Sequence, residues 1–154
     1  MPIAHANLTD DAGWADMTLA VYPSYLWQDG TPLADAPVDF PATFADNMSS
    51  YRGPIDIPAF NRNPLRVKPG FMVPRHSHNI DEIVLVLAGQ YTIEYGPLDA
   101  LETVVVTPGQ LFHSRAGTSY TMTAGPEGVT YIETWGVPVG TLKTIWEGIG
   151  WVAR

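Results

Sequence analysis

The stretch PGFMVPRHSHNIDEIVLVLAGQ, residues 69–90, holds two of the chain's four histidines. His76 and His78 are separated by one residue, and Glu82 follows four positions after His78. A glycine stands at each end of the cluster, and the apolar residues around it are rich in the β-branched types that strands favour. The stretch therefore predicts that ionisable side chains gather on a β-sheet.

The spacing of these residues suits a metal site. Residues two apart on a strand point to the same face, so we expect His76 and His78 to project together, about 7 Å apart at Cα. Glu82, at the start of the next strand, can bring a carboxylate to the same point, and His113 can close the set from the opposite wall. Three neutral imidazoles and one carboxylate suit Fe(II), Mn(II), Ni(II), Zn(II) or Co(II) rather than calcium or magnesium. The remaining histidine, His5, is expected to take no part.

Composition indicates what kind of protein this is and limits the classes of partner that it can bind. The 154 residues, 45% of them apolar and 16% charged, fit one globular domain. A formal net charge of −8 disfavours nucleic acid and anionic membrane surfaces. The lack of cysteine excludes disulfides, thiolate nucleophiles and cysteine-ligated zinc. Since no secretory signal or membrane-spanning run is recognisable, we expect a cytoplasmic protein.

The two halves of the chain differ in texture. Residues 1–63 are rich in proline, which breaks long helices and central strands, and the only helix expected there is a short one over 43–49. We expect this N-terminal extension to pack on the following domain or on a dimer partner. Residues 64–154 are expected to form that domain, with a tail that becomes a short helix or a final strand.

The second region reads as strands divided by turns. Short apolar segments alternate with Gly- and Pro-containing sequences, a pattern that predicts an all-β sandwich or barrel. The segment 82–88 is apolar on both faces, so its outer face needs cover from the N-terminal extension, a second subunit or both, and we expect a homodimer. The predicted strands cover 65–67, 71–73, 82–88, 91–95, 103–106, 111–114, 119–123 and 129–135.

The opening stretch resembles the first signature motif of the cupin superfamily. Gly70, His76, His78, Glu82 and Gly89 occupy its fixed positions at the expected spacing. This resemblance implies a cupin-type double-stranded β-helix, a jelly-roll barrel, with a metal at its centre. It covers residues 65–136 by strand pattern and leaves the first 60 residues outside.

The second cupin motif is matched more loosely. It normally reads Gly, then Pro-x-Gly-x-x-His, with Asn three residues later. Pro108 and His113 stand in the right order, but Gly109 is one place early and Gln110 occupies the usual glycine position. We interpret these departures as changes of loop geometry and expect His113 to remain the fourth ligand.

Two further residues are candidates for catalysis. Arg115 shares a face with His113 on a continuous strand, where it can hold a substrate carboxylate or enolate, or else pair with a surface acid. Glu133 shares a face with Tyr131 and Trp135. On the interior it would be a possible general base, and on the outer face, the placement we favour, it would be a solvated charge.

The cupin resemblance implies a metal-dependent enzyme acting on a small organic molecule. With iron it implies a dioxygenase of an enolisable or phenolic compound, and we favour this function because a histidine-rich site suits Fe(II). With Mn, Ni or Zn it implies a lyase, isomerase or cyclase in which the metal stabilises an enolate. A third alternative is a cupin that binds a metal or ligand without turnover.

Overall fold

A computed structural model describes residues 5, 7–17, 27–28, 31–32, 46–51, 62–137 and 142–147. Within these ranges the regular structure is almost entirely β-strand, which confirms the all-β prediction. The strands are β1 (Trp14–Asp16), β2 (Trp27–Gln28), β3 (Thr31–Pro32), β4 (Met48–Tyr51), β5 (Arg62–Val67), β6 (Met72–His78), β7 (Glu82–Tyr95), β8 (Glu102–Val106), β9 (Leu111–Ser114), β10 (Tyr120–Trp135) and β11 (Thr144–Trp146).

Two long strands, β7 and β10, run antiparallel through the middle of a nine-stranded sheet. The other edge of β10 pairs with β6 near its start and with β5 near its end. The other edge of β7 pairs with β9 near its start and with β8 near its end. The sheet is curled into a half-barrel. The buried residues lie on its concave face. β2 and β3 pair with each other in a separate two-stranded sheet.

The prediction of separate strands at 82–88 and 91–95, and again at 119–123 and 129–135, was wrong. Each pair is one continuous strand, of 14 residues in β7 and 16 in β10. The glycines between them form irregularities instead of turns, with Gly89 at φ +70° and Gly128 at φ +76°. The register of the β7–β10 pair shifts at the same place, between Ala124 and Val129. Such bulges bend a strand without ending it.

Parts of the N-terminal extension belong to the sheet. Residues 46–47 are helical, but β4 begins at Met48, so the helix predicted over 43–49 is wrong at its end, and 43–45 lie outside the described residues. β4 pairs with both β5 and β1. The described part of the C-terminal tail is the strand β11, which pairs with β6. Across the described ranges, no helix has the length and hydropathy to cross a membrane.

The core lies on the concave face. Fully buried apolar side chains there include Leu65, Val84, Val86 and Tyr131. The alternation of β7 places Glu82 with Val84 and Val86 on this face, while Ile83, 39% exposed, points outwards. The outer face of β7 is therefore partly exposed at Ile83 in the part of the chain that the structure describes, and the homodimer stays a prediction.

Candidate metal centre

His76 and His78 are buried at the end of β6, with 3% and 5% of their surface exposed. Their ring centroids are 5.1 Å apart. His76 Nδ1 lies 2.6 Å from the carbonyl oxygen of Pro74. Because a carbonyl oxygen only accepts, His76 Nδ1 carries the proton and Nε2 keeps its lone pair.

His78 and Glu82 lie in contact across the turn between β6 and β7. His78 Nε2 is 3.6 Å from Glu82 Oε1, and the other ring nitrogen, Nδ1, is 3.2 Å from Thr144 Oγ1 on β11. Glu82 is 1% exposed, and its Oε2 accepts a hydrogen bond of 2.5 Å from the Tyr120 hydroxyl. The structure therefore brings His78 and Glu82 together and places the His76 ring beside them.

Burial sets the protonation of this cluster. It lowers the pKa of His76 to about 3, helped by the neighbouring His78, and it lowers the pKa of His78 to about 4. It raises the pKa of Glu82 to about 7, against the opposing effect of the Tyr120 hydrogen bond. Both imidazoles are therefore neutral at pH 7, which is the form that binds metal ions.

His113 does not join this cluster, and the prediction that it closes the set is corrected here. In the β7–β9 pair His113 lies opposite Ile83, whereas Ser114 lies opposite Glu82. Residues that pair across an antiparallel ladder share a face of the sheet. His113 is therefore on the outer face, with its side chain 48% exposed and its Nε2 3.1 Å from Asp81 Oδ2.

The early glycine of the second motif explains this orientation. Gly109, with φ +83°, forms the turn that leads into β9, and its amide donates to the Val86 carbonyl at 2.9 Å. Counting from Gly109, the third residue is Phe112, which packs against the core. His113 is the fourth, and alternation turns it outwards. The displaced glycine therefore changes which side chain faces inwards as well as the geometry of the loop.

Arg115 is also outside. It is exposed, and together with His113 and the Ala116 amide it helps to hold the pKa of Asp81 below its usual range, the amide hydrogen bond of 2.9 Å being the main cause. The prediction that Arg115 lies near the metal is wrong, because its side chain is exposed and its charge acts on the surface carboxyl group of Asp81.

Glu133 faces the interior, so the preferred expectation of a solvated outer position was wrong. It is 5% exposed and lies opposite Val84 in the β7–β10 pair. The Tyr131 hydroxyl donates to Glu133 Oε1 at 3.3 Å. Because Glu82 is two residues from Val84 on β7, the two glutamates are diagonal neighbours on the concave face.

Two buried polar groups near Glu82, the Tyr120 hydroxyl and the Trp135 indole, were assigned no role from the sequence. Tyr120 donates to Glu82, and its ring lies 4.7 Å from the His76 ring. Trp135 lies directly opposite Glu82, is 5% exposed, and its Nε1 makes no hydrogen bond. The Tyr91 hydroxyl, also buried, makes none either. At the sequence level, the only indication of a role was that Trp135, two residues after Glu133, shares a face with it.

The described side chains do not form a closed ligand set. Among the residues that the structure describes, no three or more His, Asp or Glu side chains are grouped closely enough to hold a metal ion as they stand. A cavity of about 320 Å³ lies elsewhere, between β4, β5, β7 and β10, and none of its lining residues belongs to the histidine cluster.

Solved structures share this architecture. A structure of oxalate decarboxylase, determined for its substrate binding mode, superposes with a TM-score of 0.52 at 17% identity over 65% of this chain. A deletion mutant of the Bacillus subtilis oxalate decarboxylase superposes with a TM-score of 0.51 at 14% identity over 87% of this chain. The chain has a cupin fold. The resemblance seen in the first motif is confirmed at the level of the fold.

At these low identities the similarity to the solved structures shows the fold of this chain alone. The chain spans 28% and 27% of the two oxalate decarboxylase chains. An oxalate oxidase superposes with a TM-score of 0.49 at 17% identity, over 94% of this chain and 60% of the other. The Bacillus subtilis oxalate decarboxylase has Mn(II) centres. No protein-family model and no curated protein matches the sequence.

The Tyr120 hydrogen bond gives a first prediction. Tyr120→Phe is expected to weaken metal binding about 10- to 100-fold, because it frees Glu82 from the partner that orients it. Tyr91→Phe is the matched control, since it removes a buried hydroxyl that makes no hydrogen bond. Titration calorimetry of each metal-free variant measures the change. Equal affinities for the two variants would contradict an orienting role for Tyr120.

Proposed function

We propose that this chain is a metal-dependent enzyme acting on a small organic molecule, with His76, His78 and Glu82 as the metal ligands. The observation that carries the proposal is a buried, neutral pair of imidazoles beside a buried carboxyl group on the concave face of a cupin fold. The Nδ1 atoms of both histidines have partners. Their Nε2 atoms are the ones available to a metal, so the chemistry of the three donors fits one.

The donor set favours iron. With His113 on the outer face, two histidines and one carboxylate remain, and this combination is typical of non-haem Fe(II) oxygenases. Such an ion, when bound, supplies open positions where substrate and dioxygen react. The reaction we favour is dioxygenation of an enolisable or phenolic compound. Both atoms of dioxygen enter the products and the substrate supplies the electrons, so no further reductant is required.

The chain's own residues have separate tasks in this reaction. Glu133, as a general base, takes the proton from the enolisable C–H or the phenolic O–H, and the Tyr131 hydroxyl orients its carboxylate through Oε1. Tyr120 holds Glu82 in place. The concave face keeps water away from the reacting atoms, since Glu82 and Glu133 are 1% and 5% exposed.

A second candidate is a lyase, isomerase or cyclase that uses manganese. The Mn(II) centres of the Bacillus subtilis oxalate decarboxylase, a protein that shares the fold, favour it. Glu133 would act as the base here too, moving a proton between carbon and oxygen of an enolate. No dioxygen would be consumed, so oxygen uptake separates the two candidates.

Metal analysis followed by turnover tests the proposal. Protein purified without oxygen and without nickel affinity resin is expected to hold near-stoichiometric iron by elemental mass spectrometry, and to consume oxygen with an enolisable or phenolic compound. Glu133→Gln is expected to lower kcat about 10²- to 10⁴-fold at unchanged metal content. The control, Glu127→Gln, changes an exposed residue of the same strand. Failure to retain any of Fe, Mn, Ni or Zn after each is added back would overturn the proposal.

A further inference from the structure

We infer that Trp135 donates a hydrogen bond to an oxygen atom of the substrate, so the substrate class is compounds with an acceptor oxygen: carbonyl, carboxylate, enolate or phenolic. The inference rests on the proposed function, because the site of reaction is the one beside Glu82. Trp135 is the last residue of β10 and pairs with Glu82, the first residue of β7. On the other side of Glu82 the partner is Ser114. The three side chains thus form one row across the concave face.

The Trp135 indole N–H is a buried donor with no acceptor. The residue is 5% exposed, yet Nε1 makes no hydrogen bond. An unpaired buried donor is unfavourable, so native structures rarely leave one without a use. The indole N–H can only donate, which means that a metal ion cannot satisfy it. An oxygen atom of a bound ligand can.

The neighbouring acceptors do not fill this role. Glu82 Oε2 accepts from Tyr120, and Glu82 Oε1 faces His78 Nε2. Glu133 Oε1 accepts from Tyr131. The Trp135 N–H is therefore a free donor in the same row as the Glu82 carboxyl group, and Glu133 lies two residues before it on β10. A site of this kind discriminates against a compound that lacks the matching oxygen, because binding it leaves the donor unpaired.

Binding of small oxygen compounds to the metal-loaded chain tests the inference. The probes are oxalate, acetylacetone and catechol, titrated without oxygen by calorimetry. For the probe that binds, Trp135→Phe is expected to raise Kd about 10- to 100-fold while the Kd of the metal stays unchanged. The control is Trp14→Phe, because the Trp14 indole already donates to the Asp10 carbonyl at 3.0 Å. An unchanged probe Kd in Trp135→Phe would overturn the inference, as would binding of none of the three probes.

A measurement on the unaltered chain keeps the test independent of the variant's folding. The Trp135 indole proton is expected to move downfield by nuclear magnetic resonance when the probe is added, and the Trp14 indole proton is expected to stay in place. A Trp135 signal that does not move while the probe binds would contradict the inference. If the chain holds no metal, the proposed function fails, and the same titration of the metal-free chain still decides whether Trp135 meets a ligand oxygen.

Discussion

Replacing His76 with alanine is expected to weaken metal binding by more than about 100-fold, since loss of a ligand exceeds the 10- to 100-fold effect of losing a ligand's hydrogen-bond partner. His113→Ala is expected to leave metal binding unchanged. Its side chain is 48% exposed and pairs with Asp81 on the outer face, opposite Ile83. The two variants lose the same chemical group, so they differ only in where the imidazole lies.

Metal content by elemental mass spectrometry and affinity by titration calorimetry measure both variants. Circular dichroism checks that each retains its strands. If His113→Ala lost the metal and His76→Ala kept it, the assignment of the three donors would be wrong. An equal loss in both would mean that β9 presents His113 to the interior in the metal-bound protein.

Gly89→Ala is expected to destabilise the protein by more than about 4 kcal/mol, which is exceptional for one methyl group. Gly89 lies where β7 passes β10 at the bulge, with φ +70°. A Cβ atom there would stand 2.0 Å from the Gly128 carbonyl oxygen and 3.0 Å from Val129 Cα. These are backbone atoms of the neighbouring strand, so the two central strands would have to separate.

Gly109→Ala is the matched control for this prediction. Gly109 also has positive φ, +83°, but nothing lies within 4 Å of its Cβ position. Its substitution carries only the backbone strain, about 1–2 kcal/mol. Urea unfolding monitored by circular dichroism gives both values. A similar loss of stability in the two variants would show that the close approach of β7 and β10 contributes little.

The cupin fold and the first part of the site were predictable because they rest on local spacing. His76 and His78 share a face through the two-residue period of a strand, and Glu82 opens the next strand after a short turn. The strand over 111–114 was predicted with its observed bounds. These features depend on neighbours in sequence, where alternation and turn chemistry act directly.

The orientation of β9 was not predicted, because a motif can match in order and still differ in parity. Gly109 stands one place early, and as a result Phe112, three residues after it, is the residue that faces inwards. The glycines within β7 and β10 led to a different wrong prediction, that each of these strands is divided by a turn. Gly89 and Gly128 suggest turns, but the pairing of the two long strands across the bulge overrides that local preference.

The interior position of Glu133 and the roles of Tyr120 and Trp135 depend on pairing between distant segments. Glu133 faces inwards because Val84 lies opposite it, and Trp135 meets Glu82 for the same reason. Tyr120 reaches Glu82 from 38 residues away in sequence. Alternation within one strand gives two possible faces, and only the register with a second strand selects one.

The placement of Gly109 also affects how such a site changes in evolution. A side chain's face along β9 is set by an odd or even count from that glycine. The loss or gain of one residue between Gly109 and Phe112 would exchange the two faces of the strand, so that His113 would face inwards and Phe112 outwards after a single event. A point substitution changes one side chain and leaves the count as it was. Insertions and deletions in this loop are therefore the direct route between a three-donor and a four-donor centre on the same fold.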